Sequence, residues 1–303
     1  MKESITQYAR LGLVHHMLYP RCMEDPDDHV RTLSEFARRS DIETFDCCLP
    51  YGEQRREKLI PLIRDCGKEH ITYATHLFPL GKIGFSSPAP HEQAQIRMII
   101  EDMVEVAEAI GATGFIFASG QPSPSEATAR HYEAFADFVR WLCGRLSERG
   151  MVAMLEPFDT DVDKRFLYGP TERCVDLIES LRPEVDNLQI ELDVAHLPLM
   201  GEGFEEAIRT VAPHLGRVHL GNCVLADPGH PRYGDTHPPV GYSPGEIDVP
   251  QITTILETLL EVGFLDREER GDLVVEMTPW PGWSVEETVR DSFRRVREAW
   301  RSV

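Results

Sequence analysis

Four residues in this chain have the type and spacing to hold a metal ion: Glu156 in MLEPFD, Asp193 in ELDVAH, His219 in RVHLGN and Glu276 in VVEMTP. Each lies at the end of a short apolar run that reads as a β-strand. Three carboxylates and one imidazole make an oxygen-rich set suited to a hard or borderline divalent cation. Mn²⁺ is the expected ion, with Mg²⁺, Co²⁺ and Zn²⁺ as alternatives; zinc more typically recruits further His or Cys. A lone Glu after a strand is ordinarily a solvated loop residue, and a lone His is often a satisfied core residue. Four candidate ligands at the ends of four successive strands rarely arise from solvation preferences.

Such a centre suits removal of a proton from carbon next to a carbonyl. The enolate or enediol that forms needs charge stabilisation, which a chelated dication supplies as a Lewis acid. A carboxylate within hydrogen-bond reach then serves as base, and a second acid across the substrate returns the proton. Glu156 and Glu276, from separate strands, are placed to flank it.

Other residues are candidates for substrate contact. His15 and His16 fall in the first apolar run, where alternation lets at most one, taken as His16, point into the molecule. His76 ends the third run. His237, in GDTHPP, could approach the metal if its loop folds inward. Trp280 and Trp283 follow the last run, where aromatics suit sugar faces.

The elements that must position these residues follow one pattern. Strand-like runs are expected at 11–17, 43–49, 71–77, 113–118, 151–155, 188–193, 217–220 and 272–276. Amphipathic helices are expected at 28–39, 53–67, 92–110, 125–149, 170–181, 203–212, 249–262 and 284–302. Strict alternation implies parallel strands with crossover helices, and eight units favour closure. The expected fold is therefore one (β/α)₈ TIM barrel spanning residues 1–303 as a single α/β domain. An open doubly wound sheet is the alternative, but no G-x-G-x-x-G or G-x-x-x-x-G-K loop is present. Two loops exceed what a barrel needs, 78–91 and 221–248, and both follow strand C-termini, where barrel chemistry sits. The second is expected to be a partly ordered lid or partner surface.

Composition narrows the partners. Of 303 residues, 31 are Lys or Arg and 51 are Asp or Glu, a formal charge of −20. That balance argues against a nucleic-acid partner, which needs clustered cations. No apolar run is long enough for a bilayer, and the first residues carry no leader-like apolar stretch. Seven cysteines without C-x-x-C spacing read as reduced thiols filling the core of a cytoplasmic protein.

LEPFD, ELDVAH, RVHLGN and VVEMTP resemble the metal-site motifs of the xylose isomerase-like barrel superfamily, with the ketohexose 3-epimerases and related sugar isomerase/epimerases as the nearest branch. The resemblance covers most of the chain in strand order. It implies Mn²⁺ on Glu156, Asp193, His219 and Glu276, proton transfer by the two glutamates, and contact of His196 with a substrate oxygen. The function implied is a divalent-metal-dependent sugar isomerase or epimerase. Two positions depart from the epimerase pattern: Val162 stands in place of a Glu and Leu225 in place of an Arg. Asp159, Asp161, Asp163 and, in the long loop, Arg232, Asp235 and His237 are candidates to replace them. The loops EPFDTDVDKRFLYGP and HLGNCVLADPGHPRYGDTHPPVG look closer to catalytic subunits of C-glycoside deglycosidases, lyase-type enzymes acting on 3-keto C-glycosides with a small second subunit. A homo-oligomer or that hetero-oligomer is expected. A metal-dependent endonuclease of the same superfamily is disfavoured by the charge, and a non-catalytic sugar-binding barrel would not need two opposed glutamates.

Overall fold

The computed structural model describes residues 3–75 and 84–303. Eight parallel strands close into a barrel in sequence order: β1 Ala9–Val14, β2 Thr44–Cys47, β3 Ile71–Ala74, β4 Gly114–Phe117, β5 Val152–Leu155, β6 Leu188–Asp193, β7 Leu215–Leu220 and β8 Gly271–Val275. β8 pairs with β1, Leu11 opposite Leu273 and Leu13 opposite Val275. No strand edge is left open.

The helices are α1 His15–Leu18, α2 Pro26–Phe36, α3 Glu53–Arg64, α4 Pro90–Ala109, α5 Ala129–Ser147, α6 Thr171–Leu181, α7 His196–Met200, α8 Phe204–Val211, α9 Val249–Glu261 and α10 Val285–Ser302. Their ends carry the local chemistry that starts and stops helices. Asp25 caps α2 by accepting from the backbone N–H groups of Asp27 and Asp28, and Ser284 with Glu287 forms a reciprocal capping box on α10. α4 turns Ile96, Ile100, Met103, Val104 and Ala107 inward and ends at Gly111, which adopts φ 75°.

The first strand departs from expectation. The run at 11–17 is a strand only to Val14, and His15 and His16 then begin the helical turn α1. Both are buried, so burial alone could not distinguish strand from helix there. β7 also starts two residues earlier than expected, at Leu215. His76, and with it residues 78–83 of the loop at 78–91, lies outside the described residues. Among the described residues, no helix is long and apolar enough to cross a membrane.

One irregularity sets up the site. Between β6 and β7 the register shifts after Ile190: Ile190 pairs with Leu215, but Glu191 pairs with Arg217 and Asp193 with His219. Without that shift Val218 would stand opposite Asp193. The bulge thus brings an imidazole, rather than an aliphatic side chain, beside the carboxylate.

Candidate metal centre

β6 ends in Asp193. One of its carboxylate oxygens, Oδ1, accepts from the backbone N–H of Ala195 at 2.8 Å and of Gly221 at 3.2 Å. The other, Oδ2, is buried and accepts no hydrogen bond. The carboxylate is fixed by one oxygen and open at the other. Gly221 has to be glycine: a Cβ there would stand 2.7 Å from Asp193 Oδ1 and 2.8 Å from His237 Nδ1. Donor oxygens of Glu156, Asp193 and Glu276 lie within 4.8 Å of one another.

His219 completes the set from β7. Its Nδ1–H donates to Glu276 Oε2 at 2.6 Å and its Nε2–H to Asp46 Oδ2 at 2.5 Å. Asp46 comes from the middle of β2 and is also held by Arg217, whose Nη2 lies 2.7 Å from Asp46 Oδ1. Arg217 reaches Asp272 at 3.0 Å on its other side. A buried ionic column therefore runs through the barrel from Asp272 through Arg217 and Asp46 to His219 and Glu276. Glu191 lies beside it, with Oε1 3.4 Å from His219 Nδ1 and neither oxygen hydrogen-bonded.

The carboxylates of this cluster do not share one protonation state. Burial pushes Glu156 up to about 8, and the charges of Glu276 and Asp193 add to that against the pull of His196 and His219. Glu276 is buried too, but His237 and His219 more than offset the burial and hold it down at about 2. Burial opposes charge on His219, yet Glu191, Asp46 and Glu276 hold it well above the usual imidazole range. The orphaned oxygens of Asp193 and Glu191, beside the carboxyls of Glu156 and Glu276 and the His219 ring, fit a divalent cation, which would supply positive charge there. Glu156, Asp193, Glu276 and Nδ1 of His219 would hold it, with Asp46 orienting the ring from Nε2.

The loop at 221–248 folds inward. An antiparallel bridge of Val224 with Gly234 closes its outer part, and Asn222 pins its base by donating to the Pro239 carbonyl and accepting from Ile247 N–H. This path delivers Asp235 and His237 to the cluster. His237 Nε2 lies 2.8 Å from Asp235 Oδ1, and His237 Nδ1 lies 3.5 Å from Asp193 Oδ2. His196, the first residue of α7, donates from Nδ1 to the Pro157 carbonyl at 2.8 Å and stacks on Phe158. Its Nε2 lies 3.5 Å from Asp193 Oδ2 and 3.4 Å from Asp235 Oδ2.

Residues 35–299 match the family model described as a xylose isomerase-like TIM barrel. The chain belongs to that family. It is 27% identical over 248 residues to a human protein named "Putative hydroxypyruvate isomerase", covering 78% of this chain and 83% of the relative. A mouse protein of the same name is 28% identical over 202 residues, covering 64% and 67%. Among solved structures, a D-tagatose 3-epimerase-like protein superposes with a TM-score of 0.68 at 16% identity, covering 95% of this chain and 98% of the other. A 3-keto-D-glucoside 4-epimerase from E. coli gives 0.66 at 16%, covering 96% and 99%.

On this family barrel the remaining expected residues fall in three places. His16 is buried on α1 and its charge helps to hold Glu276 down. Arg232, Tyr242, Trp280 and Trp283 form a wall beside the mouth: Arg232 donates to Thr278 Oγ1 at 2.8 Å and lies over Tyr242, whose ring centroid is 5.6 Å from that of Trp280. Thr278 in turn donates from N–H to the His237 carbonyl, which joins wall and loop. Of the aspartates proposed to replace the epimerase Glu, Asp235 reaches the cluster, whereas Asp159 and Asp163 are engaged elsewhere. Asp159 accepts from the N–H groups of Val162, Asp163 and Lys164, and Asp163 accepts from Asp235 N–H. Val162 and Leu225 themselves pack into one small apolar cluster with Ala195, Leu199 and Cys223.

Asp46, Glu191, Arg217 and Gly221 were not singled out from sequence. Three of them had a period-two signal. Thr44 with Asp46, Glu191 with Asp193 and Arg217 with His219 are each two apart on a strand, so each pair shares a face.

Proposed function

We propose that this protein is a divalent-metal-dependent sugar isomerase or epimerase that moves a proton at carbon next to a carbonyl. The observation that supports the reading is the convergence of Glu156 and Glu276, from the ends of β5 and β8, with Asp193, their donor oxygens within 4.8 Å of one another. Bound there, a dication of the Mn²⁺ type would act as a Lewis acid toward the substrate's carbonyl and neighbouring hydroxyl.

The chain's own groups divide the remaining work. Glu276, ion-paired with His219 and His237, is held ionised and is suited to take the proton from carbon. Glu156, poorer in cationic neighbours, is suited to carry a proton and return one. Delivery to the opposite face of the same carbon gives epimerisation, and delivery to the neighbouring carbon gives isomerisation. In both cases one proton leaves and one returns. His196, charged and fixed by the Pro157 carbonyl, presents Nε2 as a donor for a substrate oxygen, and His16, His237, Arg232 and Trp280 line the approach.

Val162 and Leu225 favour a second substrate class for the same step. Where 3-epimerases pair a Glu with an Arg, this chain packs two aliphatic side chains together. An apolar group next to the sugar, as in a 3-keto glycoside, suits that surface better than a free ketohexose. A C-glycoside deglycosidase subunit is the lyase form of this reading, and co-purification with a smaller β-rich chain would mark it.

The test is solvent deuterium exchange followed by NMR with Mn²⁺ present, across hydroxypyruvate, free ketoses and 3-keto glycosides. Deuterium at carbon next to the carbonyl in one class, lost with chelator and restored with metal, is the expected result. No exchange in any class would overturn the reading.

A further inference from the structure

A second group of buried donors lies apart from the barrel mouth, between α2 and the strands. One ring nitrogen each of His15 and His29 and the sulfur of Cys22 lie within 4.8 Å of one another, all three residues buried. His15 follows β1, Cys22 sits in the single 3₁₀ turn Pro20–Met23, and His29 is on α2. The histidine rings are 5.2 Å apart between centroids, and Phe36 closes one side of the cluster.

The hydrogen bonds around His15 fix where its lone pair is. Thr32 Oγ1 donates to the Asp28 carbonyl at 2.8 Å, so toward His15 it can only accept, and His15 Nε2 donates to it at 3.0 Å. His15 Nδ1 is then the lone-pair nitrogen, and it is buried without a partner. His29 Nε2 faces the Cys48 carbonyl at 2.8 Å, which can only accept. Burial holds the His29 ring below its usual range despite its hydrogen bonds to the backbone at Cys48 and Cys22, so it carries one proton, shared between two backbone contacts. One orphaned imidazole lone pair, on His15, lies beside the His29 ring and the Cys22 thiol. Burying such an acceptor unpaired costs about 1–3 kcal/mol.

We propose that Cys22, His15 and His29 form a second metal site, selective for a thiophilic divalent cation of the zinc type. One thiolate and two neutral imidazoles are the donors such an ion takes, and the hard-cation set at the mouth contains no sulfur. Thr32 and the Cys48 carbonyl hold the two rings by their far nitrogens, the outer arrangement usual for ligating histidines. Bonds of about 2.0–2.3 Å require donor separations of roughly 3.3–3.6 Å. Donors already within 4.8 Å of one another therefore need at most about 1.5 Å of closure to reach those separations. A cavity of about 350 Å³, lined among others by Cys22, Met23, His29, Cys48 and Tyr51, gives an entry path and room for a fourth, non-protein ligand.

The proton balance is definite. Burial pushes the Cys22 thiol up to about 12, so it enters the site protonated. Forming the metal–sulfur bond breaks the S–H bond, and one proton leaves to solvent for each ion bound.

The test uses the full chain, stripped with chelator and titrated with Co²⁺. A thiolate-to-Co²⁺ charge-transfer band should appear in the wild type and in Glu276→Gln, vanish in Cys22→Ala and persist in Cys48→Ala. Because none of the proposed ligands at the mouth is a thiol, a band lost in Cys22→Ala reports this site whatever the fate of the proposed activity. Independently of any variant, one equivalent of Zn²⁺ should protect Cys22 from iodoacetamide, as read by peptide mass mapping. Absence of the band from the wild type, its survival in Cys22→Ala, or unprotected Cys22 would each overturn the proposal.

Discussion

Two sets of buried histidines in this barrel stand in opposite charge states. At the mouth, burial opposes protonation of His219 and His196, yet surrounding carboxylates hold both well above the usual imidazole range. Beside α2, burial holds His15 well below that range, with like charge from His29 and His16 adding to it. His15 has a hydroxyl, aromatic rings and sulfur for neighbours, and no carboxylate partner within hydrogen-bond reach among the described residues. Burial is common to both sets, so it does not decide protonation; the counter-charge does. The same difference sorts the metals each set would accept. The mouth offers oxygens with one imidazole, and the outer cluster offers nitrogen and sulfur.

The largest effects are expected from removing charge at the mouth. Glu276→Gln and Glu156→Gln should each lower kcat by about 10²–10⁴-fold, the usual worth of a positioned acid or base, with far-ultraviolet circular dichroism unchanged. Metal content measured beside rate separates lost proton transfer from lost metal. A variant that keeps both metal and full rate would remove that glutamate from the proton path. Next comes Arg217→Met, which leaves Asp46 and Asp272 short of their shared cation inside the barrel. A loss of about 3–5 kcal/mol in urea unfolding is expected, because stripping one partner from a buried pair exposes the other's desolvation cost. Asp46→Asn is gentler and should weaken Mn²⁺ binding at the mouth by about 10–100-fold. Calorimetric titration checks it, and unchanged affinity would show that His219 does not depend on Asp46 for its orientation.

Much of this contrast was legible before any coordinates. β6 begins and ends where its apolar run does, at Leu188 and Asp193, and all eight strands and their main helices lie close to their expected places. Glu156, Asp193 and Glu276 were readable because each terminates a run, where a charged residue breaks the pattern visibly, and His219 because it lies one residue from the end of its own. Asp46, Glu191 and Arg217 sit inside runs, and their meaning lies in the two-residue alternation that puts them on the same face as Thr44, Asp193 and His219. Asp235 was readable only from its place in the proline-rich loop after β7, which has no periodicity. Gly221 could not be found either way, since it matters only because Asp193 and His237 crowd it. The overrun of β1 into His15 and His16 has the same origin, since a buried helical turn and a buried strand end look alike in composition.

Stability against pH offers a finer test of the two histidine environments. Unfolded imidazoles take up protons near pH ~6.5. Folded His15 resists protonation, so below that pH the unfolded state binds more protons and stability falls, by up to about 1.4 kcal/mol per pH unit for one ring. His237 has the opposite sign in metal-free protein: Asp235, Glu276 and Asp193 outweigh burial and raise it to about 9. Its contribution is full below ~6.5 and fades as pH rises through about 9. His15→Gln should therefore flatten the acid limb of the stability curve, and His237→Gln the alkaline limb. Equal flattening of the same limb by both would break the comparison.

The smallest effect is expected at the outer tip of the loop at 221–248. The loop is two structures in series. Its base is pinned by Asn222 and carries Asp235 and His237 into the cluster, whereas residues 226–229 are exposed beyond the bridge of Val224 with Gly234. The bridge is held by two backbone hydrogen bonds, Val224 N–H to the Gly234 carbonyl at 3.3 Å and the return bond at 2.9 Å, so it can survive a shorter tip. Loop length itself matters little, since halving a flexible segment changes closure entropy by only about 0.6 kcal/mol. Replacing residues 226–229 with Gly-Gly should leave metal content unchanged, turnover within about threefold and stability within about 0.6 kcal/mol. Removing the base as well would withdraw His237 and Asp235 and cost at least ~10²-fold in turnover, the scale of lost positioning. If the tip replacement alone produced that larger loss with metal retained, residues 226–229 would be closing over the substrate, and the line between an ordered base and a dispensable tip would have to be moved outward.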